Sequence, residues 1–477
     1  MRQDSRARPA GEQWSSAMAV LDAKIAVART LGAAVRASGR GGGTSLPGKL
    51  LIRLEPRAIA QLASRLQQGS VVISATNGKT TTAAMTASIL SHAGLSLVHN
   101  RAGANMPGGV ASTLLSSTTR RGGIDGQLGL FEVDEFWLPA VAAELRPRAL
   151  LLGNLFRDQL DRYGELETIG QRWAEVVTGL AAGTMLLLNA DDPLIADLGR
   201  EAANVTYFGI EDRAVALPEM QHASDSKHCR RCGAPYDYDA VYLGHLGLYR
   251  CRSCDRARPT PAITAHDIEL RGTTASAFTL RTPTGDRRIQ LPLPGLYNIY
   301  NALGAAALAL ALDVPLDAVA AGLAKTAAAF GRAESVNVDG VELRLLLIKN
   351  PAGANEILRT LALEPGEVDL LAILNDRDAD GRDVSWIWDA DFELIASHLS
   401  SATCAGTRAA DLALRFKYAG VPHEHIQVIS SVSSALDAAL GEPSRRLFVI
   451  PTYTALLELR DELSRRGHVS RYWAKTA

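Results

Sequence analysis

The chain has 477 residues, of which 47% are hydrophobic and 21% are charged. This composition is ordinary for globular proteins, so it excludes a mostly disordered chain, and the length indicates two or three domains. The net charge is −1, from 50 Lys and Arg against 51 Asp and Glu, which argues against a protein built to coat DNA or anionic lipid.

The N-terminal region, residues 1–44, is predicted to be a polar tail followed by a helix. Residues 1–14 have the polar composition of a disordered segment, and residues 15–38 are Ala-rich with spaced Lys and Arg. The tail lacks the apolar core of a signal peptide, and the longest strongly apolar stretch, 302–312, is too short to span a membrane. We therefore expect a cytoplasmic protein, and the basic helix leaves open a peripheral contact with the inner face of a membrane.

Short apolar strands alternate with helical stretches from residue 71 onward. The first strand candidates are continuous runs of apolar residues: 71–74, 95–99, 128–133, 149–154 and 184–190. Such runs are typical of buried parallel strands, so they predict a doubly wound α/β domain. Strand-like segments over 277–283 and 287–294 follow, and then an Ala-rich helix over 299–311.

A second alternating region begins near residue 340. Its strand candidates share the same apolar pattern: 341–350, 368–376, 401–406 and 446–451. The pattern predicts a smaller, Rossmann-like α/β domain over 331–477, joined through a hinge near Gly331 and Arg332. The rest of the chain then divides into the tail and helix over 1–44 and a larger domain over 45–330, which carries a polar insert over 222–260.

The segment 74–82 reads Ser-Ala-Thr-Asn-Gly-Lys-Thr-Thr-Thr and lies between a predicted strand and a predicted helix. Backbone N–H groups at a helix start bind anions, the Lys79 ammonium can reach nucleotide phosphates, and the Thr80 hydroxyl can bind Mg²⁺. The segment therefore predicts a phosphate-binding loop. It is not a standard one, because the position five residues before Gly78 is Ile73 instead of Gly; the alternative is a glycine turn capped by Thr.

Acidic residues follow another predicted strand, at 132–135 (Glu-Val-Asp-Glu). A nucleoside triphosphate is bound together with Mg²⁺, which carboxylates hold, and ligands of doubly wound sheets bind at the carboxyl ends of the strands. Glu132 ends its strand and is the candidate for a second magnesium ligand beside Thr80. The alternative is a solvated acidic turn.

Four of the five cysteines form two pairs, Cys229 with Cys232 and Cys251 with Cys254. Eighteen residues separate the pairs, and this spacing predicts a zinc ribbon with a closed, structural Zn²⁺ site. Arg and Tyr residues around the pairs leave a nucleic-acid-binding ribbon as the alternative, but we expect no nucleic-acid partner. The fifth cysteine, Cys404, lies at the end of a predicted strand and is interpreted as a buried structural thiol.

These motifs resemble the Mur ligase family, the ATP-dependent amide-forming enzymes of peptidoglycan synthesis, and their folate-ligase relatives. Besides the phosphate loop, the matching segments are 158–164, 188–193, 294–302 and 331–334. The resemblance implies a Mur-ligase-like central domain, a zinc-ribbon insert within it and a Rossmann-like C-terminal domain, with ATP and Mg²⁺ as cofactors. The residues that it implies in nucleotide binding are Thr76, Asn77, Gly78, Lys79, Thr80, Thr81, Asn298, Asn301 and Arg332.

The chain departs from the family's pattern around the loop. Ala75 stands where members usually have Gly, and Gln159 stands where they usually have a His that helps to bind a second Mg²⁺. Because the phosphate loop is reached by residue 75, we expect the family's N-terminal nucleotide-sugar domain to be missing and the substrate to be held differently.

The C-terminal half resembles the branch of this family that amidates lipid II, through the segments 349–356, 374–376, 380–392, 407–409 and 450–454. The resemblance implies that ATP phosphorylates the α-carboxylate of the D-glutamate in the lipid II stem peptide, and that ammonia attacks the acyl phosphate to give D-isoglutamine. It also implies a heterodimer with a GatD-like glutaminase, which supplies the ammonia, and a lipid II substrate at the cytoplasmic membrane face. Asp383 is the catalytic residue that the resemblance implies, as the third member of the partner's Cys-His triad.

Two observations from the residues alone are consistent with a partner. Glutamine hydrolysis needs an activated Cys with a His, and Cys404 is the only cysteine outside the two pairs. The segment 376–391 collects six Asp around Trp386 and Trp388, which indicates a contact surface or a polar site, with a solvated acidic loop as the alternative. Two other functions stay open: a stand-alone Mur-type ligase that adds an amino acid, and a nucleotide-dependent scaffold without chemistry.

Overall fold

The computed structural model describes residues 24–30, 45–100, 104–119, 122–158, 166–222, 224–327, 332–441 and 446–470. The predicted tail over 1–14 lies outside these residues, and the described part of the predicted helix over 15–38, residues 24–30, is helical. Among the helices of these ranges, none combines the length and the apolar character that crossing a membrane requires.

The first and larger part of the chain is built on a nine-stranded sheet and a separate two-stranded hairpin. Its strands are β1 (Ser70–Ser74), β2 (Leu97–His99), β3 (Leu128–Glu132), β4 (Ala149–Leu152), β5 (Met185–Asn189), β6 (Val205–Ile210), β7 (Tyr236–Leu243), β8 (Leu246–Cys251), β9 (Ile263–Arg271), β10 (Ala275–Thr282) and β11 (Gly285–Leu291). The order across the sheet is β11-β10-β9-β6-β5-β4-β1-β3-β2, and β7 pairs with β8. The pairs from β2 to β9 are parallel, whereas β9, β10 and β11 pair in antiparallel fashion.

Helices cover both faces of this sheet, which is why its central strands are continuously apolar. The helices are α1 (Leu46–Leu54), α2 (Ala58–Ala63), α3 (Lys79–His92), α4 (Pro107–Ser116), α5 (Leu138–Leu145), α6 (Leu166–Thr178), α7 (Pro193–Leu198), α8 (Leu296–Ala311) and α9 (Leu316–Ala324). Strands β1, β3 and β4 are buried along their whole length. Successive residues point to opposite faces, so Val72 and Ile73 belong to two different apolar cores.

The C-terminal part is built on a six-stranded sheet, ordered β12-β13-β17-β14-β15-β16. Its strands are β12 (Arg332–Val338), β13 (Val341–Leu346), β14 (Val368–Ile373), β15 (Leu399–Ala405), β16 (Ile426–Val428) and β17 (Arg446–Pro451). The helices are α10 (Pro351–Leu361), α11 (Glu393–Ala396), α12 (Ala409–Tyr418), α13 (Val432–Leu440) and α14 (Tyr453–Arg465). All pairs are parallel except that of β12 with β13, and an apolar core lies on each face.

The predicted fold class is confirmed, because both parts are α/β structures with mainly parallel sheets and the Cys-containing insert forms the β7-β8 hairpin. The helix predicted over 299–311 begins three residues earlier, at Leu296, since Gly295 with a φ of 83° starts it. The predicted domain boundaries, between residues 44 and 45 and between residues 330 and 331, stay predictions.

Candidate active site

The phosphate loop connects β1 to α3, which begins at Lys79. Gly78 adopts the left-handed conformation with a φ of 85°, and a Cβ atom there would lie 2.0 Å from Oδ1 of Asn301. Both conditions require glycine at this position. The turn brings the N-terminus of a 14-residue helix to the edge of a cavity, which is the geometry of an anion-binding site.

The loop is held by the segment that follows β4. Asn154 accepts the backbone N–H of Asn77 at 2.9 Å and donates to the carbonyl of Asn77 at 3.0 Å. The Thr76 hydroxyl accepts the backbone N–H of Phe156 at 3.1 Å. The protein therefore orders the loop by itself, and less conformational entropy is lost when a ligand binds.

The two predicted magnesium ligands lie side by side. The Thr80 hydroxyl donates to Oε1 of Glu132 at 2.9 Å, and Asn105 donates to the same oxygen at 3.4 Å. Glu132 ends β3, where Asn100 accepts its N–H at 2.9 Å and donates to its carbonyl at 2.7 Å. A hydroxyl and a carboxylate oxygen that converge in this way are hard ligands of the kind that Mg²⁺ prefers.

Lys79 has a buried partner that the sequence did not indicate. Its Nζ lies 2.7 Å from Oε2 of Glu135, and both side chains are buried. Burial alone would raise the pKa of Glu135, but the ammonium groups of Lys79 and Lys349 hold that pKa below its ordinary value. Glu135 is therefore ionised at neutral pH and orients the Lys79 ammonium.

A second lysine reaches the same cavity from the C-terminal part of the chain. Lys349 forms an ion pair with Asp158, whose carboxylate is buried. Burial raises the pKa of Asp158, although Lys349 opposes the shift. Asp158 opens the segment 158–164 that resembles the Mur ligases; Gln159 and the residues up to 165 lie outside the described residues.

The two asparagines predicted to contact the nucleotide lie on α8, behind the loop. Asn301 accepts from Thr82 at 3.2 Å and donates to Asn298 at 3.1 Å, and Asn298 donates to the carbonyl of Pro294 at 2.7 Å. They therefore support the loop, and Asn301 also lines the cavity. Arg332 begins β12, but its side chain lies outside the described part of the chain.

One cavity of about 440 Å³ joins these groups, and its volume is that of a small-molecule site. The phosphate loop, Glu132 and Lys349 supply polar groups to its lining. Further lining residues come from the β7-β8 hairpin, from α8, from α10 and from other segments of the chain: Leu243, Leu246, Tyr297, Tyr300, Gly353, Glu356, Ile357, Met106, Phe156, Leu347 and Tyr453. Both sheets therefore contribute to the candidate site. Sequence reasoning missed the part contributed by the hairpin, and it placed Glu356 in a segment of the resemblance without naming it as a site residue.

The four paired cysteines form one cluster at the base of the hairpin. Their Sγ atoms all lie within 4.8 Å of one another, with 3.7 Å between Cys229 and Cys254 and 3.4 Å between Cys232 and Cys251. A tetrahedral Zn²⁺ with Zn–S bonds of ~2.3 Å needs Sγ separations of ~3.8 Å. The cluster could therefore hold a four-coordinate zinc ion.

The acidic segment 376–391 is a surface turn in which most carboxylates pair within the chain. Five of its six Asp contact side chains elsewhere in the fold or one turn away: Asp376 with Arg408, Asp378 with Arg382, Asp380 with Thr454, Asp389 with Arg157, and Asp391 with Asn355. Asp383 is exposed and accepts the N–H of Ser385 at 2.8 Å, and among the described residues no side chain outside its own turn pairs with it. Hydrogen bonds from Ser385 lower the pKa of Asp383, so this carboxylate is ionised at neutral pH.

Known proteins are similar in sequence to this chain over nearly its whole length. Residues 73–244 match the Mur ligase middle domain, and residues 347–456 match the MurT ligase C-terminal domain. The chain is 32% identical, over 90% of its length and 94% of the relative's, to the MurT subunit of lipid II isoglutaminyl synthase (glutamine-hydrolyzing) from Streptococcus pneumoniae. It is 31% identical to the MurT subunit from Staphylococcus aureus, over 92% of this chain and 97% of that one.

Solved structures share the fold. A pseudomurein peptide ligase type C from Methanothermus fervidus matches with a TM-score of 0.64 and 23% identity, over 84% of this chain and 79% of that one. MurF from Thermotoga maritima in complex with ADP matches with a TM-score of 0.61 and 14% identity, over 88% of this chain and 85% of that one. The fold and the phosphate loop thus define the class of the Mur ligases. Within this class the chain belongs to the MurT family, and the resemblance inferred from the sequence is confirmed.

Proposed function

We propose that the chain is the synthetase subunit that amidates lipid II at the α-carboxylate of the D-glutamate in its stem peptide. The observation that carries the proposal is a single cavity with two kinds of lining residue. Lys79, Thr80 and Glu132 line it together with residues of the segment 347–456, which matches the MurT ligase C-terminal domain. The relatives from S. pneumoniae and S. aureus are MurT subunits of lipid II isoglutaminyl synthase, and more than nine tenths of each is covered.

The reaction has two steps. The γ-phosphoryl group of ATP is transferred to a carboxylate oxygen of the substrate, so that a P–O bond to the β-phosphate breaks and ADP and an acyl phosphate form. Ammonia then attacks the acyl carbon, the C–N bond forms, inorganic phosphate leaves and a proton passes from nitrogen to solvent. Phosphorylation is needed because phosphate is a far better leaving group than oxide.

The residues of the cavity have distinct roles in this chemistry. Lys79 and the N-terminus of α3 bind the nucleotide phosphates and stabilise the charge that develops during transfer. Thr80 and Glu132 hold Mg²⁺, which neutralises phosphate oxygens when it is bound. Glu135 orients Lys79, and Lys349 carries a further positive charge to the anionic reactants.

The ammonia comes from a second chain, a glutaminase of the GatD type. Cys404 is fully buried and burial raises its pKa to about 12, so it is unsuited to act as the nucleophile of glutamine hydrolysis. Asp383 is exposed and ionised, as a residue that completes the partner's triad must be. Close to it in sequence, Trp388 is 47% exposed and lies 5.7 Å, between ring centroids, from Tyr418, which is 70% exposed. Aromatic side chains exposed in this way suit a protein interface.

The cysteine cluster would hold a structural Zn²⁺ and thereby fix the β7-β8 hairpin. Four cysteine thiolates would fill a tetrahedral site and leave no position for a substrate. The complex acts in the cytoplasm, at the membrane face where the head group of lipid II is accessible.

Lys79→Ala tests the assignment of the phosphate loop. With lipid II, ATP and an ammonium salt, the variant should lose at least about a hundredfold in amidation rate, because the charge that stabilises the transferring phosphoryl group is gone. Lys325→Ala, at an exposed lysine, is the matched control and should keep the wild-type rate. Undiminished amidation by Lys79→Ala would contradict the assignment.

A further inference from the structure

Positive charge is concentrated in the segment 24–65, although the whole chain is nearly neutral. Eight residues of this segment are Lys or Arg and one, Glu55, is acidic. The basic residues are Lys24, Arg29, Arg36, Arg40, Lys49, Arg53, Arg57 and Arg65. The segment therefore has a formal charge of +7, so the rest of the chain must carry −8 to give the net charge of −1. Such an asymmetry is typical of a protein that contacts an anionic partner with one of its faces.

Helix α1 carries basic and apolar side chains on one exposed face. Leu46, Lys49 and Arg53 follow one another at spacings of three and four residues, which places them on the same side of the helix. All three are exposed, and Arg57 in the turn after the helix is exposed as well. Leu46 is 48% exposed, which is unusual for a leucine in a packed helix. A helix face that combines aliphatic and basic side chains is typical of segments that lie on a membrane surface.

The helical residues 24–30 lie beside the end of α1. Lys24 donates to the carboxylate of Glu55 at 2.8 Å, which neutralises the one acidic residue of the segment. Val27 is 50% exposed, and Arg29, which is also exposed, donates to the carbonyl of Thr118 at 2.9 Å.

The basic residues of α1 and of the turn after it keep their charge uncompensated. Among the described residues, no acidic side chain pairs with Lys49, Arg53 or Arg57. Their positive charge is therefore available to an anionic surface outside the molecule.

The exposed side of α1 lies one helix away from the cavity. Helix α1 packs closely on α4, where the N–H of Gly48 donates to Oγ of Ser112 at 2.8 Å. The Lys49 side chain crosses the first turn of α4, because a Cβ atom on Gly108 would lie 2.6 Å from its Cγ. Met106, immediately before α4, lines the cavity. A surface bound to α1 is therefore next to the helix that begins at the cavity.

We propose that the exposed side chains of residues 24–30, of α1 and of Arg57, here called the basic face, dock on a membrane surface that contains anionic phospholipids. The lipid phosphates attract the Lys and Arg side chains, while Leu46 and Val27 enter the boundary between head groups and acyl chains. The inference rests on the proposed function in that a substrate held in the membrane gives this contact its use. A nucleic acid matches the face less well, because the exposed apolar side chains are aliphatic and cannot stack on bases.

Co-sedimentation of the full chain with vesicles, without lipid II or nucleotide, tests this inference. Vesicles of phosphatidylcholine with about 30% phosphatidylglycerol should bind the chain at least about a hundredfold more tightly than phosphatidylcholine alone, since each Lys or Arg near an anionic surface strengthens binding roughly fivefold. Raising the salt from about 0.1 M to about 1 M should remove most of this difference, because the Debye length falls from ~10 Å to ~3 Å. The combined variant Lys49→Gln, Arg53→Gln, Arg57→Gln should lose about a hundredfold in binding to the anionic vesicles.

The combined variant Arg271→Gln, Arg281→Gln, Arg287→Gln is the matched control. It removes the same charge from exposed positions of β9, β10 and β11, at the end of the sheet opposite β2, on which α4 packs. This variant should bind anionic vesicles as the wild type does. Leu46→Gln should weaken binding roughly fivefold without changing its salt dependence, because it removes apolar surface and no charge.

Equal binding to both kinds of vesicle, binding to neither, or an equal loss in the two combined variants would overturn the inference, with unfolding temperatures showing that each variant is folded. The variant of the basic face should still amidate lipid II dissolved in detergent at the wild-type rate, since none of its changes touches the cavity lining. A chain that binds anionic vesicles but does not amidate dissolved lipid II would contradict the proposed function and leave the basic face in place.

Discussion

Lys79 and Glu135 form an ion pair in which both side chains are buried, whereas Lys349, whose side chain is 36% exposed, pairs with the buried carboxylate of Asp158. Removing either residue of the first pair, or Lys349 from the second, leaves an uncompensated buried charge, which is strongly destabilising. Each lysine is therefore held in position by a carboxylate, so that its ammonium is oriented when anionic reactants enter. Variants of these four residues need a stability measurement beside any activity assay.

Asp383→Asn should separate the two sources of ammonia. With glutamine and the glutaminase partner the rate should fall at least about a hundredfold, because an amide cannot orient and stabilise a catalytic His as a carboxylate does. With added ammonium the rate should stay at the wild-type level, since Asp383 lies outside the residues that line the cavity. Product formation under the two conditions is the measurement.

The matched control for this variant is Asp378→Asn in the same exposed turn. Asp378 pairs with Arg382 at 2.8 Å and should tolerate the change under both conditions. Equal loss of the glutamine-driven and the ammonium-driven reaction in Asp383→Asn would show that the residue serves the ligase site instead.

The loop residues of the site were predictable from the sequence because they are close together in the chain and follow a strand. The local pattern alone was enough to predict Gly78, Lys79 and Thr80. The prediction of Glu132 also depended on the rule that the carboxyl ends of parallel strands lie at one edge of the sheet. The partners of the lysines were not predictable: Glu135 lies 56 residues from Lys79, and Asp158 lies 191 residues from Lys349. Glu356 belongs to the segment 349–356 that carries the resemblance, but its burial was not predictable, because a Glu in an amphipathic helix is ordinarily exposed.

The β7-β8 hairpin is the element that links the cysteine cluster to the cavity. Freshly purified protein should contain about one zinc ion per chain, and replacing Cys229 and Cys232 by Ser should remove it and lower the unfolding temperature. Metal analysis with thermal unfolding measures both effects.

Cys404→Ala is the control for the zinc measurement. Cys404 lies in β15 and not in the cluster, so this variant should retain its zinc. Wild-type protein without zinc would contradict the ribbon assignment.

Strands were predicted well where continuous apolar runs mark them and poorly elsewhere. β1, β3, β4 and β5 are central and almost wholly buried. The prediction missed β6, whose first half is only partly buried, and β9, which alternates between partly buried and exposed residues after its first three positions. That alternation is the pattern of a strand with one solvent-facing side. It was the available signal for β9, which begins the antiparallel part of the sheet. No local pattern indicates that the hairpin tip reaches the cavity.

At the scale of the whole molecule, the two sheets meet at one cavity. Asn77 bonds to Asn350 across it at 3.0 and 3.2 Å, and Lys349 reaches Asp158. An acyl phosphate is hydrolysed when water reaches it, so a site built from both sheets suits a reaction that must exclude water. The segments that line this cavity could be identified from the sequence. Their proximity could not, because it depends on packing between residues far apart in the chain.

In the proposed function the chain converts a carboxylate of lipid II into a carboxamide. Mass spectrometry of lipid II after incubation with the purified chain, ATP, Mg²⁺ and an ammonium salt detects this conversion. We expect a product in which NH₂ replaces OH on the D-glutamate α-carboxyl group, with one ADP formed for each amide. A product heavier by an amino-acid residue, or unchanged lipid II with a protein that binds ATP, would contradict the proposed function.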